Sequence, residues 1–102
     1  MVEDTLLGKI ITKTDLLSNT FDKKGEVLLY EKGFKIEFEG KQSKAPYNYI
    51  QDLEKAGNAA LGKVHVRINV FDMLGISNTY EITIPDQIYS VLKRRWEESK
   101  LE

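Results

Sequence analysis

The chain has 102 residues, 41% hydrophobic and 10% aromatic, which suits one folded domain with one core and excludes a disordered tail. Its 15 basic residues face 16 acidic ones, a formal net charge of −1, so nucleic-acid phosphates and purely electrostatic membrane anchoring are not the expected partners, although a local patch can coexist with a neutral total. The chain has no cysteine, which rules out disulfides, thiolate nucleophiles and cysteine-ligated zinc.

Met1-Val2-Glu3-Asp4 is acidic where a secretory signal is basic, and no apolar run approaches the roughly 18 residues of a spanning helix. A cytoplasmic protein is therefore expected. Leu6 to Lys13 reads as a first strand. Thr14 to Lys24 follows as a long connection that nevertheless carries Leu16, Leu17 and Phe21. A hairpin comes next: Glu26 to Tyr30 turns through Glu31-Lys32-Gly33 into Phe34 to Phe38, with Gly33 expected to take a left-handed conformation. Phe34, Ile36 and Phe38 alternate with Lys35, Glu37 and Glu39, which places aromatic groups on one face and charges on the other.

Gly40-Lys41 reads as a second turn, and Pro46, which lacks a donor, marks Ser43 to Tyr47 as an edge or a corner. Tyr49 to Lys55 is read as a strand, although Ile50, Leu53 and Ala56 also fit a short helix. Val64, Val66, Ile68 and Val70 alternate with His65, Arg67, Asn69 and Phe71, and Asp72 to Gly75 joins this strand to the last one, Ser77 to Ile84. On that alternation Phe71 and Tyr80 face outward and mark a partner surface. From Pro85 to Ser99 the spacing of Ile88, Val91, Leu92 and Trp96 predicts one amphipathic helix, with Pro85 and Asp86 suited to its start. Leu101-Glu102 resembles a cloning remnant, leaving residues 1–100 as a single domain.

No convergent catalytic set appears. His65 is the only histidine, and its outward neighbours Arg67 and Asn69 make it an ordinary exposed strand residue. Glu37 and Glu39 have Lys35 beside them, which suggests cross-strand charge pairing rather than acid–base work. Glu97 and Glu98 point in different directions on the helix. No glycine run cradles a phosphate and no serine sits in a nucleophile elbow. The chain is read as a non-enzyme without cofactor or metal. Lys93, Arg94 and Arg95 share their helix with Asp86, Glu97 and Glu98, a mixed-charge solvated face rather than a nucleic-acid site.

Short strands closed by one C-terminal amphipathic helix resemble the pleckstrin-homology-like (PH-like) superfold. Ala45 to Glu54 looks like the corner of its GRAM and bacterial members, and Ile88 to Trp96 is similar to the family's closing helix. A similar domain occurs in an archaeal taxis adaptor family. The resemblance implies a bent antiparallel barrel of seven strands capped by the helix, with Trp96, Leu92 and Ile88 as the plug. It also implies a cytoplasmic protein-interaction or adaptor module. An extended peptide, or a second copy of the chain, would add to the strand edge at Tyr49 to Glu54, over a surface comprising Tyr47, Tyr49, Gln51, Leu53, Tyr89 and Lys93. The alternative is a peripheral phospholipid-binding domain using Lys13, Lys23 and Lys24 beside Leu16, Leu17 and Phe21. Against it, phosphoinositide-binding relatives gather several cations at that connection, and here Lys23 and Lys24 stand between Asp22 and Glu26. For the apolar trio the simpler reading is a loop packed over one end of the core.

Overall fold

In a computed structural model, which describes residues 3–4, 7–17 and 22–101, the alternating segments become strands in chain order. They are β1 (Glu3–Asp4), β2 (Gly8–Leu17), β3 (Lys23–Tyr30), β4 (Gly33–Phe38), β5 (Lys41–Pro46), β6 (Ile50–Asn58), β7 (Lys63–Phe71) and β8 (Ser77–Pro85). A short 3-10 turn, Tyr47–Tyr49, separates β5 from β6, and the helix α1 (Asp86–Ser99) ends the described chain. The protein is thus mostly β with one C-terminal helix.

The strands do not close into the single seven-stranded barrel that the resemblance implies. Hydrogen bonding divides them into a five-stranded antiparallel meander, β1-β2-β3-β4-β5, and a three-stranded one, β6-β7-β8. The break falls at Pro46 and the turn after it, where a residue without an N–H ends the ladder and the chain changes sheet. Tyr49 to Lys55 is strand, apart from Tyr49 itself, and the helical alternative for Ile50, Leu53 and Ala56 fails.

The inward rows of the two sheets face each other. Val27, Leu29, Phe34, Ile36 and Ala45 come from the first, and Val64, Val66, Ile68, Val70, Tyr80, Ile82 and Ile84 from the second. Sheets with one solvated side require this period of two, and β7 shows it without interruption: its valines and Ile68 are buried while His65 and Arg67 are exposed. Helix α1 seals the space between the sheets with Leu92 and Trp96, flanked by the half-buried Ile88, Tyr89 and Val91. Each large side chain withdrawn from water here contributes about 1.5–3 kcal/mol.

Several expectations need correction. Thr14 to Leu17 is not loop but the end of β2, paired with β3 through Leu17 and Lys23. Tyr80 is buried, because it alternates in step with Ile82 and Ile84 on β8; its hydroxyl meets the buried Ser43 Oγ of β5 at 2.8 Å and ties one sheet to the other. Phe71 is half-buried. Gly33 does not take a left-handed conformation. It is required for space instead: a Cβ there would stand 2.4 Å from the Ala45 carbonyl oxygen and 2.5 Å from Leu7 Cδ2.

Candidate functional site

The three-stranded sheet ends at β6, whose only ladder partner among the described residues is β7, so that among these one side of its backbone is an open edge. Helix α1 lies beside this strand and runs in the opposite direction. At the start of β6, Trp96 Nε1 donates to the Ile50 carbonyl oxygen at 2.9 Å. Toward its end, Lys55 Nζ stands 3.9 Å from Asp86 Oδ1 at the helix start. The buried indole bond fixes the helix against the strand, whereas the exposed ion pair adds little.

This edge is not smooth. Gln51 and Ala56 are extra residues in β6, each at a break in the register with β7. Each break changes which side chains face inward, which is why Ile50 and Leu53, three apart, are both buried. Asp52 and Glu54 lie opposite Asn69 and Arg67 on the solvated face, where Arg67 also has Glu81 opposite it on β8.

Of the residues assigned to a docking surface by sequence, Tyr49, Gln51 and Lys93 are exposed and Tyr89 is half-buried. Tyr47 and Leu53 are not surface residues. Leu53 packs into the core, and Tyr47 is buried with its hydroxyl donating to the Tyr30 carbonyl oxygen. Burial raises the Tyr47 phenol well above its ordinary value, against smaller opposing effects of Arg95 and the Tyr30 bond. The phenol of Tyr80 is also raised, mainly by burial.

Sequence reasoning treated Asp72 to Gly75 as a plain connection, yet it forms the most apolar exposed feature near the open edge. Asp72 Oδ1 accepts from the backbone N–H of Leu74 at 2.8 Å and of Ile76 at 3.0 Å. Asp72 N–H donates in turn to the Ile76 carbonyl at 3.0 Å, and Gly75 adopts φ +84°. The closed tip holds Met73, Leu74 and Ile76 at 47%, 84% and 54% exposure. Between this tip and the start of β6 runs a groove of about 550 Å³ lined by Asn48, Tyr49, Gln51 and Phe71 and by Asp72, Met73 and Gly75 of the tip. The adjacency of Met, Leu and Ile to a turn-forming Asp and Gly was the available signal.

The described residues of the lipid alternative are divided between core and surface. Leu16 is buried in the core, but from strand β2 rather than from a loop, while Leu17, the next residue of that strand, is 40% exposed. Lys13 and Lys24 are exposed. Lys23 is engaged by Glu26 at 3.0 Å and Asp15 at 3.5 Å; the Glu26 bond first, and then the charge of Asp15, raise its pKa. Phe21 lies outside the described residues. No described helix is long and apolar enough to cross a membrane.

His65 Nδ1 is 2.9 Å from Thr83 Oγ1 on the neighbouring strand, and among the described residues no three acidic or histidine side chains gather as a metal cluster would. Comparison with family models, with curated proteins and with solved structures finds no match to this chain.

Proposed function

We propose that the protein is a non-enzymatic, peptide-binding interaction module on a PH-like scaffold. An extended segment of a partner adds to the open edge of β6 and seats an apolar side chain in the groove of Tyr49, Phe71 and Met73. The observation that carries this reading is the juxtaposition of an unpaired strand edge with that groove, both bordered by elements fixed in place. Backbone bonds along an edge give affinity, and a side-chain pocket beside it gives selectivity. The order of two antiparallel sheets followed by one sealing helix supports the PH-like assignment.

A foreign peptide fits this edge better than a second copy of the chain. Antiparallel self-pairing about a two-fold axis at Leu53 would set Asp52 against Glu54, and an axis at Glu54 would set that carboxylate against itself. Like charges directly opposite are destabilising. The same two carboxylates favour a ligand with a basic residue flanking its apolar one.

Selection from a displayed peptide library, followed by chemical-shift mapping of the best binder, tests the proposal. Shifts should follow Gln51 to Lys55, Tyr49 and Met73, and Tyr49→Ser with Met73→Ser should weaken binding about tenfold or more. Shifts confined to Leu17, Lys23 and Lys24 would reject the site. Salt-sensitive sedimentation with anionic liposomes that Lys23→Glu/Lys24→Glu abolishes would replace the function with lipid binding.

A further inference from the structure

At the far end of α1 the side chain of Arg95 lies in the wall of a second cleft, of about 370 Å³. The turn between β3 and β4 supplies Glu31 and Lys32, the end of β5 and the turn after it supply Pro46, Tyr47 and Asn48, and the helix supplies Arg95, Glu98 and Ser99. A guanidinium offers five donors in a planar fork. Here its only hydrogen bond among the described residues is a long one, Nη1 to the Glu31 carbonyl oxygen at 3.4 Å. Its Nε–H is buried and has no acceptor among the described residues. A buried donor without a partner is costly, and a charged one more so.

The acidic neighbours do not supply the missing acceptor. Glu31 turns its carboxylate to the Lys9 N–H at 2.9 Å and presents only its backbone carbonyl to Arg95. Glu98 is exposed, and no ion pair joins it to Arg95. Ser99 spends its hydroxyl on the Trp96 carbonyl at 2.6 Å, and Tyr47 donates to Tyr30. The donors left to a ligand are those of Arg95, Lys32 and Asn48.

We propose that this cleft binds a carboxylate, which the guanidinium of Arg95 holds through its open donors while Lys32 and Asn48 contact the outer oxygen. For its Nε–H to reach the same anion the guanidinium must turn, since that atom is buried. A singly charged planar anion suits the site better than a doubly charged phosphate for two reasons. The fork geometry matches a carboxylate. The two resident carboxylates, of Glu31 and Glu98, also leave the cleft with no net positive charge to hold a dianion. Glu98 is the internal competitor, three residues along the helix from Arg95 and within reach of it. The cleft adjoins the β6 groove, with Asn48 in the wall of both, but neither proposal requires the other.

The test follows the Arg95 Nε–H resonance at pH 6, identified by its loss in Arg95→Lys, during titration with sodium acetate against sodium chloride at constant ionic strength. A saturable shift in the millimolar range is expected, together with shifts of the Lys32 and Asn48 amides. The Nε–H of Arg94, exposed on the same helix, is the internal control and should not saturate. Glu98→Gln should tighten the midpoint about threefold, and Lys32→Gln, on an exposed turn, should weaken it by a similar factor. The amide shifts should vanish in Arg95→Lys. A linear response, or one shared with Arg94, would overturn the site. Stronger binding of inorganic phosphate than of acetate would overturn its assignment to carboxylates. Acetate binding in a protein that takes no peptide at β6 would leave this inference standing and reject only the edge.

Discussion

Replacing Trp96 by alanine tests whether the closing helix is part of the core. The indole is buried in the core cluster to which both sheets contribute, and its Nε1–H donates to the Ile50 carbonyl at 2.9 Å. Removing a buried aromatic ring costs about 3–5 kcal/mol. Losing the indole bond, which leaves the Ile50 carbonyl without that donor, adds about 1 kcal/mol. Trp96→Phe separates the two contributions, since it keeps most of the apolar contact and forfeits the bond, and should cost about 1–3 kcal/mol. For a chain of this length about 1 kcal/mol moves the melting temperature by roughly 5 °C, so Trp96→Ala should melt about 20–30 °C lower. Lys100 Nζ, 3.5 Å from the ring centroid, is exposed and alters this sum little. Urea and thermal unfolding followed by far-UV circular dichroism are suitable, because the substitution also removes the indole fluorophore. Equal midpoints for Trp96→Ala and the parent would refute the placement of α1. Equal losses for the phenylalanine and alanine variants would instead assign the whole effect to the hydrogen bond.

Two further outcomes follow from the packing. Gly25→Ala should abolish the β3–β4 pairing, because a Cβ there falls 1.9 Å from the backbone oxygen of Glu37; a dispersed amide spectrum and unchanged urea midpoint would contradict it. Alkaline conditions should destabilise the protein. The unfolded chain loses phenolic protons near pH 10 while buried Tyr47 and Tyr80 keep theirs, so the stabilising contribution is complete below about pH 10 and is lost as pH rises toward the raised folded values. Tyr47 alone accounts for up to about 1.4 kcal/mol per pH unit in that window, and Tyr47→Phe should flatten the slope of unfolding free energy measured between pH 9 and about pH 11.

Local period alone determined much of this molecule. Val64, Val66, Ile68 and Val70 had to lie on one face of a strand, and Leu92 and Trp96 on one face of a helix, because a half-buried element writes its geometry into its own spacing. Pro46 likewise announced a ladder's end. Other features depended on partners distant in the chain. Leu16 is buried and Leu17 exposed because β2, paired with β3, extends past Thr14 and keeps its alternation to its last residue. Leu53 turns inward because Gln51 is an extra residue opposite β7, and the hydroxyl of Tyr80, itself in step with Ile82 and Ile84, finds its partner in Ser43, 37 residues earlier. Tyr47, read as a contact residue, is held inside by the Tyr30 carbonyl. The division into two sheets, the groove beside Tyr49 and the open fork of Arg95 belong to this second group. Each arises where separate segments meet, and a hydrogen-bond partner or a register shift contributed by one segment leaves no periodic trace in the other.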